Sequence, residues 1–408
     1  MTPHHENQTW GFPPTQGENK LEEAVLDDEI LTKISEGPIY VTRPNLPPLE
    51  RLYPSLQAIW ESKILTNNGS FHQSFEKALA HYLEVEHVNL FSNATLALIV
   101  GLEALRISGE VITTPYSFVA TTHALQWNGI TPVFCDIDEK TFNIDPDKIE
   151  TLITPKTSAI MPVHVYGRPC EVQKIQAIAD RYGLKVIYDA AHAFGVRMKE
   201  SNLLLQGDMS VLSFHGTKLF TTFEGGAIVT KDEKLKKRID FLKNFGFADE
   251  VTVVGPGING KMNEFQAALG LLSLEFVRDE IESRKLVARK YLSLLGSAMG
   301  ITTFEPTYDI TYNYAYFPIL IDGDKFGRSR DDVYEDLKRH NVFARRYFYP
   351  LISDMPTYRN LPSAGRERLP VASRVADQVL CLPMYGSLET QTVQLICDSI
   401  LNIREGRQ

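Results

Sequence analysis

Lys185-Val186-Ile187-Tyr188-Asp189 is a short apolar run that ends in a carboxylate, and Ser210-Val211-Leu212-Ser213-Phe214-His215-Gly216-Thr217-Lys218 is a second run that is followed by an amine. Further runs of this kind occur along the chain, and longer helical patterns lie between most of them. Strands that alternate with helices predict right-handed crossovers, a largely parallel sheet and an α/β fold class. The predicted strands are 88–91, 111–114, 132–136, 158–163, 185–189, 210–214 and 227–230, and the helical patterns include 95–105, 119–127, 172–182 and 234–244.

The residues at the ends of these strands are expected to share one pocket. Ligands of open parallel sheets collect at the carboxyl ends of the strands, and Phe91, Thr114, Asp189 and Phe214 stand there. A lysine just past one strand end and an aspartate at another are what a pyridoxal phosphate enzyme requires. The amine bonds to the cofactor aldehyde, and the carboxylate keeps the pyridine nitrogen protonated. Lys218 and Asp189 are therefore candidate catalytic residues.

Other residues near strand ends fit the same cofactor, but each has an ordinary structural role as an alternative. Ser92-Asn93-Ala94-Thr95 opens a helix after a strand and could offer backbone amides to a phosphate, although Ser, Asn and Thr are also common helix caps. Phe118 could stack on a flat ring or pack in the core. His192 could orient the cofactor or be a satisfied core histidine. For Asp189, a helix cap or a structural salt bridge is the alternative.

Length and composition predict a soluble globular protein with more than one domain. The chain has 408 residues, of which 43% are apolar and 23% charged, and no stretch approaches the ~20 apolar residues of a membrane span. We divide it into a polar N-terminal extension (1–37), a large domain (38–285) and a smaller C-terminal α/β domain (286–408). A long helical pattern over 264–295 lies where the two larger parts meet.

Charge and cysteine content argue against several classes of protein. The net charge of -9 does not suggest binding to nucleic acid, which requires clustered Lys and Arg. The N-terminus has no secretory signal pattern, and we expect neither a metal site nor disulfides because the cysteines are far apart. Reduced thiols fit a cytoplasmic protein. The cysteines are Cys135, Cys170, Cys381 and Cys397.

An ordered series of motifs over about residues 38–405 resembles the DegT/StrS family of sugar-nucleotide aminotransferases. The resemblance implies the fold-type I pyridoxal phosphate architecture, with a large, mostly parallel sheet domain flanked by helices and a smaller C-terminal α/β domain. The motifs include Asn93-Ala94-Thr95-Leu96-Ala97-Leu98, Thr114-Pro115-Tyr116-Ser117-Phe118-Val119-Ala120-Thr121, Asp189-Ala190-Ala191-His192, Ser213-Phe214-His215-Gly216-Thr217-Lys218 and Gly257-Ile258-Asn259-Gly260-Lys261-Met262-Asn263-Glu264-Phe265-Gln266.

The resemblance implies roles around the cofactor ring for four of these residues. Lys218 is expected to form the Schiff base with pyridoxal 5'-phosphate, and Asp189 is expected to pair with the pyridinium nitrogen. Phe118 is expected to stack on the ring, with His192 close to it.

The resemblance also implies how the phosphate is held. The amides of Ala94 and Thr95 and the hydroxyl of Ser213 are expected to bind it. Asn244 resembles an asparagine that reaches the phosphate from the neighbouring subunit, which implies a homodimer with shared active sites.

The substrate is suggested by three N-terminal segments, 39–44, 46–50 and 65–69. They are most similar to members of the family that aminate dTDP-4-keto-6-deoxy-D-glucose. This similarity implies glutamate as amino donor, dTDP-4-amino-4,6-dideoxy-D-glucose as product and a role in surface polysaccharide (O-antigen) biosynthesis.

Three other readings remain open. A 3-aminotransferase acting on a 3-keto-6-deoxy sugar nucleotide would use the same cofactor residues. The dehydratase branch of this fold has histidine in place of the Schiff-base lysine, so Lys218 argues against it. A non-catalytic sensor of the same fold would normally have lost Lys218 or Asp189.

By charge alone, Arg345, Arg346 and Lys261 are candidates for binding the glutamate carboxylates or the diphosphate, and solvated surface positions are the alternative.

Overall fold

The computed structural model describes residues 37–199 and 201–405. Residues 1–36, nearly all of the predicted N-terminal extension, lie outside the described residues. The strands are β1 (Ile39–Tyr40), β2 (His87–Phe91), β3 (Glu110–Thr113), β4 (Thr131–Phe134), β5 (Thr157–Met161), β6 (Lys185–Asp189), β7 (Arg197–Met198), β8 (Met209–Ser213), β9 (Gly226–Thr230), β10 (Ile301–Thr302), β11 (Ile310–Thr311), β12 (Phe317–Ile321), β13 (Val342–Phe343) and β14 (Val379–Leu382). The helices are α1 (Leu49–Ser62), α2 (Ser70–Leu83), α3 (Ala94–Ala104), α4 (Ala120–Trp127), α5 (Pro146–Ile149), α6 (Val172–Tyr182), α7 (Glu233–Leu242), α8 (Glu264–Ser273), α9 (Val277–Leu295), α10 (Gly323–Phe326), α11 (Arg330–Arg339), α12 (Pro370–Gln378) and α13 (Thr390–Glu405).

A seven-stranded sheet carries the residues predicted to do chemistry. Its strand order is β2-β9-β8-β6-β5-β3-β4. Strand β9 is antiparallel to both of its neighbours, and the other strand pairs are parallel. Six strands therefore run in one direction, and their carboxyl ends meet at the same edge of the sheet.

Helices cover both faces of this sheet. Along β6, Val186 and Tyr188 pack in one buried cluster with residues of α2, α6 and α8, whereas Ile187 packs on the opposite face with α3, α4 and α7. Successive side chains of a strand point to opposite faces, and here both faces are buried. This explains why the strand reads as a continuous apolar run. The carboxyl ends of the strands are then the place where polar side chains can gather.

A second, smaller sheet is built by the C-terminal part of the chain. Strand β12 pairs antiparallel with β10 and with β14. Helix α9 joins the two sheets, because Val277 at its start packs in the core of the large sheet and Tyr291 near its end packs in the core of the small one. The boundary predicted between residues 285 and 286 falls inside this helix, and the division into two domains stays a prediction.

The predicted α/β fold with a mostly parallel sheet is confirmed, and each predicted strand overlaps an observed one. Two details differ. The pattern over 264–295 is two helices, α8 and α9, separated at 274–276. Strand β9 is antiparallel, and the loop 214–225 that connects it to β8 contains no helix, whereas a parallel crossover usually passes through one. Within the described residues, none of the helices has the length and apolar character needed to span a membrane.

Glu264, the first residue of α8, ties that helix to the start of α2. Its buried carboxylate accepts hydrogen bonds from the backbone amides of Phe71 (2.8 Å) and His72 (3.0 Å). These amides belong to the first turn of a helix, where no intrahelical acceptor exists. Gly69 leaves room for the carboxylate, since a Cβ at this position would lie 2.5 Å from it.

Candidate active site

Lys218 lies in the loop between β8 and β9 and lines a cavity at the carboxyl ends of the parallel strands. The backbone amide of Lys218 donates to the carbonyl oxygen of His215 (2.8 Å), which turns the chain back towards β9. Other residues that line this cavity are His192, Ser213, Asn313 and Tyr316. The structure thus brings three of the predicted site residues, Lys218, His192 and Ser213, to one cavity.

The amine of Lys218 is a better nucleophile than an ordinary lysine amine. Burial lowers its pKa to about 8, against the opposing charge of Asp189, because the ammonium form is poorly solvated there. Its Nζ donates a hydrogen bond to Tyr316 Oη at 3.3 Å. At pH 7 about a tenth of the amine is therefore neutral, compared with less than about a thousandth for an ordinary lysine.

Asp189 ends β6 and is 5% exposed. Its Oδ2 accepts a hydrogen bond from Thr121 Oγ1 (2.7 Å), and its Oδ1 accepts one from the amide of Ala191 (3.1 Å). Burial raises the pKa of this carboxyl group, and the two hydrogen bonds and the charge of Lys218 oppose that increase. A carboxylate offers about four lone-pair positions, so Asp189 can accept a further hydrogen bond from a cation such as a protonated ring nitrogen.

His192 follows Asp189 in the same turn and is also 5% exposed. Its Nδ1 accepts a hydrogen bond from the amide of Tyr166 (3.2 Å). Burial and the neighbouring charge of Lys218 hold the pKa of His192 well below its usual range. The ring is therefore neutral and carries its proton on Nε2, so it can donate a hydrogen bond into the cavity.

The start of α3 supplies the donors expected for a phosphate. Asn93 caps the helix by accepting a hydrogen bond from the amide of Leu96 (2.9 Å), while the amides of Ala94 and Thr95 lie in the first turn, where no intrahelical acceptor exists. Gly226 allows this turn to approach the sheet, since a Cβ there would lie 2.7 Å from the nitrogen of Ala94.

Ser213 belongs to the same part of the site. It pairs directly with Gly226 in the sheet, and Gly226 in turn lies against the first turn of α3. Together these small residues form a cradle that a larger side chain would fill.

Phe118 and Asn244 lie outside the group of residues that line the cavity. Phe118 precedes α4 and is 52% exposed. Asn244 Oδ1 accepts a hydrogen bond from Lys261 Nζ (2.7 Å). Exposed apolar side chains follow it, namely Phe245, Phe247, Val251, Val253 and Val254.

The three cationic residues predicted to bind substrate groups differ in the contacts that they make. Arg346 forms an ion pair with Asp331 (2.9 Å) and stacks on Tyr334 and Tyr349, and Lys261 is engaged with Asn244. Arg345 is exposed. Its assignment to a substrate group therefore stays a prediction.

Three residues of the site, Thr121, Asn313 and Tyr316, have no sequence signal of their own. Thr121 is the last residue of the motif 114–121, and nothing in that motif marks it as the hydrogen-bond donor to Asp189. Tyr316 comes 98 residues after Lys218, at a position that reads as the beginning of a buried strand. No local pattern distinguishes it from a core aromatic.

An α/β fold in which strand ends present a lysine of lowered pKa, a buried aspartate and a small-residue phosphate cradle is that of a pyridoxal phosphate enzyme. Residues 50–401 match the model of the DegT/DnrJ/EryC1/StrS aminotransferase family. The chain belongs to this family, and its cofactor is pyridoxal 5'-phosphate.

Individual relatives agree with this assignment. The chain is 55% identical, over 90% of its own length and 99% of the relative's, to dTDP-4-amino-4,6-dideoxy-D-glucose transaminase of Escherichia coli. It is 51% identical to the enzyme of the same name from Shigella dysenteriae, over 90% of this chain and 100% of that one. A crystal structure of DesI in the presence of its TDP-sugar product has a TM-score of 0.87 at 37% identity, covering 92% of this chain and 95% of that one. The predicted family and enzyme class are confirmed.

Proposed function

We propose that this aminotransferase moves the amino group of glutamate to dTDP-4-keto-6-deoxy-D-glucose and so produces dTDP-4-amino-4,6-dideoxy-D-glucose. The observation that carries the choice of substrate is the 55% identity, over nearly the whole of both chains, to a transaminase of that name. The convergence of Lys218, His192 and Ser213 on one cavity supports the reaction type. We further propose that the reaction takes place in the cytoplasm and supplies surface polysaccharide (O-antigen) biosynthesis.

Pyridoxal 5'-phosphate, when bound, supplies an electron-accepting ring that makes a proton on the carbon bearing the nitrogen removable. In our proposal, Lys218 Nζ would hold the cofactor through its aldehyde and would become a free amine when the amino donor takes its place. As a free amine, it would accept the proton of the substrate carbon and return it. Its pKa of about 8 suits a base that must both accept and return a proton near neutral pH.

The other residues would hold the cofactor ring when Lys218 no longer does. Asp189 keeps the ring nitrogen protonated, and Thr121 and the Ala191 amide orient its carboxylate. Phe118 stacks on the ring face, and His192 donates from Nε2.

The phosphate is held by a separate group of donors in this proposal. The amides of Ala94 and Thr95 and the Ser213 hydroxyl bind it from within the chain, and Asn244 contacts it from the partner subunit of a homodimer. The exposed apolar residues that follow Asn244 support a protein contact at this surface, because they form a patch that a partner would cover.

The substrate is tested by incubating the protein with pyridoxal phosphate, glutamate and dTDP-4-keto-6-deoxy-D-glucose. Product mass and NMR then identify the aminated carbon. We expect a 4-amino sugar with the wild type and none with Lys218→Ala. Amination of a 3-keto-6-deoxy sugar nucleotide, with no reaction of the 4-keto sugar, would refute the proposed substrate and favour the 3-aminotransferase.

The shared site is tested by mixing two inactive variants. A dimer of one Lys218→Ala subunit and one Asn244→Ala subunit contains one site with both residues intact, provided Asn244 acts across the interface. Random exchange of subunits is then expected to restore about a quarter of wild-type activity, since half of the dimers are mixed and each has one good site. No recovery after verified exchange would show that Asn244 does not act across the interface.

A further inference from the structure

We infer that Tyr316 is a further catalytic residue, whose hydroxyl orients the ε-amine of Lys218 whenever that amine is free. The inference rests on the proposed role of Lys218 as the residue that bonds to the cofactor. Tyr316 Oη lies 3.3 Å from Lys218 Nζ, and both residues line the same cavity. The hydroxyl therefore touches the reacting nitrogen itself.

The ring of Tyr316 is fixed by other aromatic rings. His192 meets it edge-on, with centroids 4.9 Å apart and an interplanar angle of 65°. Tyr347 packs against it at 5.9 Å and 88°. A ring held from two directions places its hydroxyl at one position in the cavity. Lysine has many rotamers and loses most of them when its amine is held, so a fixed partner for Nζ decides where the free amine points.

The backbone before Tyr316 is anchored to the loop that carries His192. Asn313 Nδ2 donates to the carbonyl oxygens of His192 (2.8 Å) and Phe194 (2.9 Å), and its Oδ1 accepts from the amide of Ala315 (3.1 Å). Asn313 is 1% exposed, so these hydrogen bonds do not compete with water. Both neighbours of the amine, His192 and Tyr316, are in this way fixed relative to each other.

Helix α9 anchors the same segment from the other side. The buried guanidinium of Arg284 donates to the carbonyl oxygen of Ala315 (3.4 Å) and pairs with Glu280 (2.6 Å). The carboxylate of Glu280 also accepts from the amide of Gly386 (2.9 Å). A buried ion pair with further hydrogen bonds is rigid because breaking it leaves an unpaired charge in the interior.

Tyr316 suits both states of the lysine amine. Burial raises the pKa of its hydroxyl, so the hydroxyl keeps its proton. Its oxygen accepts a hydrogen bond when Lys218 carries the extra proton, and its O–H donates to the lone pair when the amine is neutral. No covalent bond is made or broken at Tyr316, and the proton that is transferred is carried by Lys218 Nζ and not by the hydroxyl.

The test compares Tyr316→Phe with a control variant, Tyr314→Phe. Both substitutions remove one hydroxyl from the same segment, but the ring of Tyr314 packs beside Tyr312. Stopped-flow absorbance follows the reaction of the cofactor-free protein with added pyridoxal phosphate, which reports on the Lys218 amine without any donor or sugar. We expect Tyr316→Phe to react about tenfold more slowly and Tyr314→Phe to react like the wild type. With glutamate added, kcat is expected to decrease while KM stays unchanged. Equal rates for the two variants would overturn the inference.

A double-mutant cycle separates this role from a purely structural one. The thermal midpoint of the cofactor-free protein is measured with and without Tyr316→Phe, in the wild type and in Lys218→Ala. We expect the effect of Tyr316→Phe to disappear when Lys218 is absent, and equal effects in both backgrounds would overturn the inference. A wild type that binds the cofactor but takes no amino group from glutamate would contradict the proposed function, whereas the cofactor reaction and this cycle would still decide the role of Tyr316.

Discussion

Replacing Thr121 by valine is expected to weaken catalysis chiefly by removing a hydrogen bond to Asp189. The same hydroxyl also lies 2.9 Å from Ser117 Oγ, which loses that partner in the variant. Thr121 Oγ1 donates to Asp189 Oδ2 at 2.7 Å, and the carboxylate is 5% exposed, so water does not replace the lost donor. Valine keeps the shape of threonine. A hydrogen bond to a charged group contributes about 1.5 to 3 kcal/mol, and about 1.4 kcal/mol corresponds to a factor of ten in rate. We therefore expect kcat to decrease about 10- to 100-fold.

The pH dependence gives a more specific signature of the same change. Burial raises the pKa of Asp189, and the hydrogen bond from Thr121 opposes that increase. Without Thr121 the pKa rises further, so as pH falls the carboxylate is protonated earlier and the acidic limb of kcat/KM moves to higher pH. The assay is a pH profile of the half-reaction with glutamate, followed by the visible absorbance of the cofactor.

The neighbouring Thr122 provides the control for this experiment. It lies in the same helix and is fully buried, but its hydroxyl has no hydrogen-bond partner among the residues that the structure describes. Thr122→Val should therefore leave both the rate and the acidic limb unchanged. An acidic limb at the same pH in Thr121→Val, Thr122→Val and wild type would refute the assignment of Thr121 as the residue that sets the charge of Asp189.

Three other contacts give predictions of their own. Because the pKa of Lys218 is lowered to about 8, the rate at which the cofactor-free protein reacts with pyridoxal phosphate should rise with pH and level off above about pH 8, in a stopped-flow pH series. Glu264→Ala should reduce the free energy of unfolding by about 1 to 2 kcal/mol, because two helix-end amides lose their acceptor. The exposed Glu282→Ala should reduce it by less than about 0.5 kcal/mol, and equal denaturant midpoints for the two variants would contradict the capping role. Gly226→Ala should weaken cofactor binding, because its Cβ would lie 2.7 Å from the Ala94 nitrogen. Gly216→Ala should bind the cofactor normally, because the nearest atom to its Cβ would be 3.6 Å away. A spectroscopic titration with pyridoxal phosphate measures the affinity of both variants.

The sequence was sufficient for the large sheet because its signals are local. Strand β6 is apolar from Val186 to Tyr188 because both of its faces are covered. Polar groups stand at or just after the carboxyl ends of β2, β6 and β8, which meet at one edge of the sheet. The antiparallel direction of β9 could also have been predicted, because the residues between the predicted strands 210–214 and 227–230 show no helical pattern, and a parallel crossover usually contains a helix.

Other features depend on contacts that no local pattern encodes. The break between α8 and α9 contains neither Gly nor Pro, so the helical pattern runs through it. Asn313 and Tyr316 belong to the segment just before β12, the central strand of the small sheet. In sequence they resemble ordinary turn or core residues, and only the fold brings them to His192 and Lys218. Residues whose role comes from distant partners are missed for this reason.

The anchoring of Asn313 to the His192 loop has a consequence for the order in which the protein matures on the ribosome. The residues proposed to hold the cofactor from within one chain are all synthesised before residue 219. The segment 313–316, which packs beside the Lys218 amine, follows about a hundred residues later. A chain that ends before Asn313 lacks the donor to the carbonyls of His192 and Phe194. The pocket around Lys218 is therefore complete only when the C-terminal part of the chain has packed against the sheet.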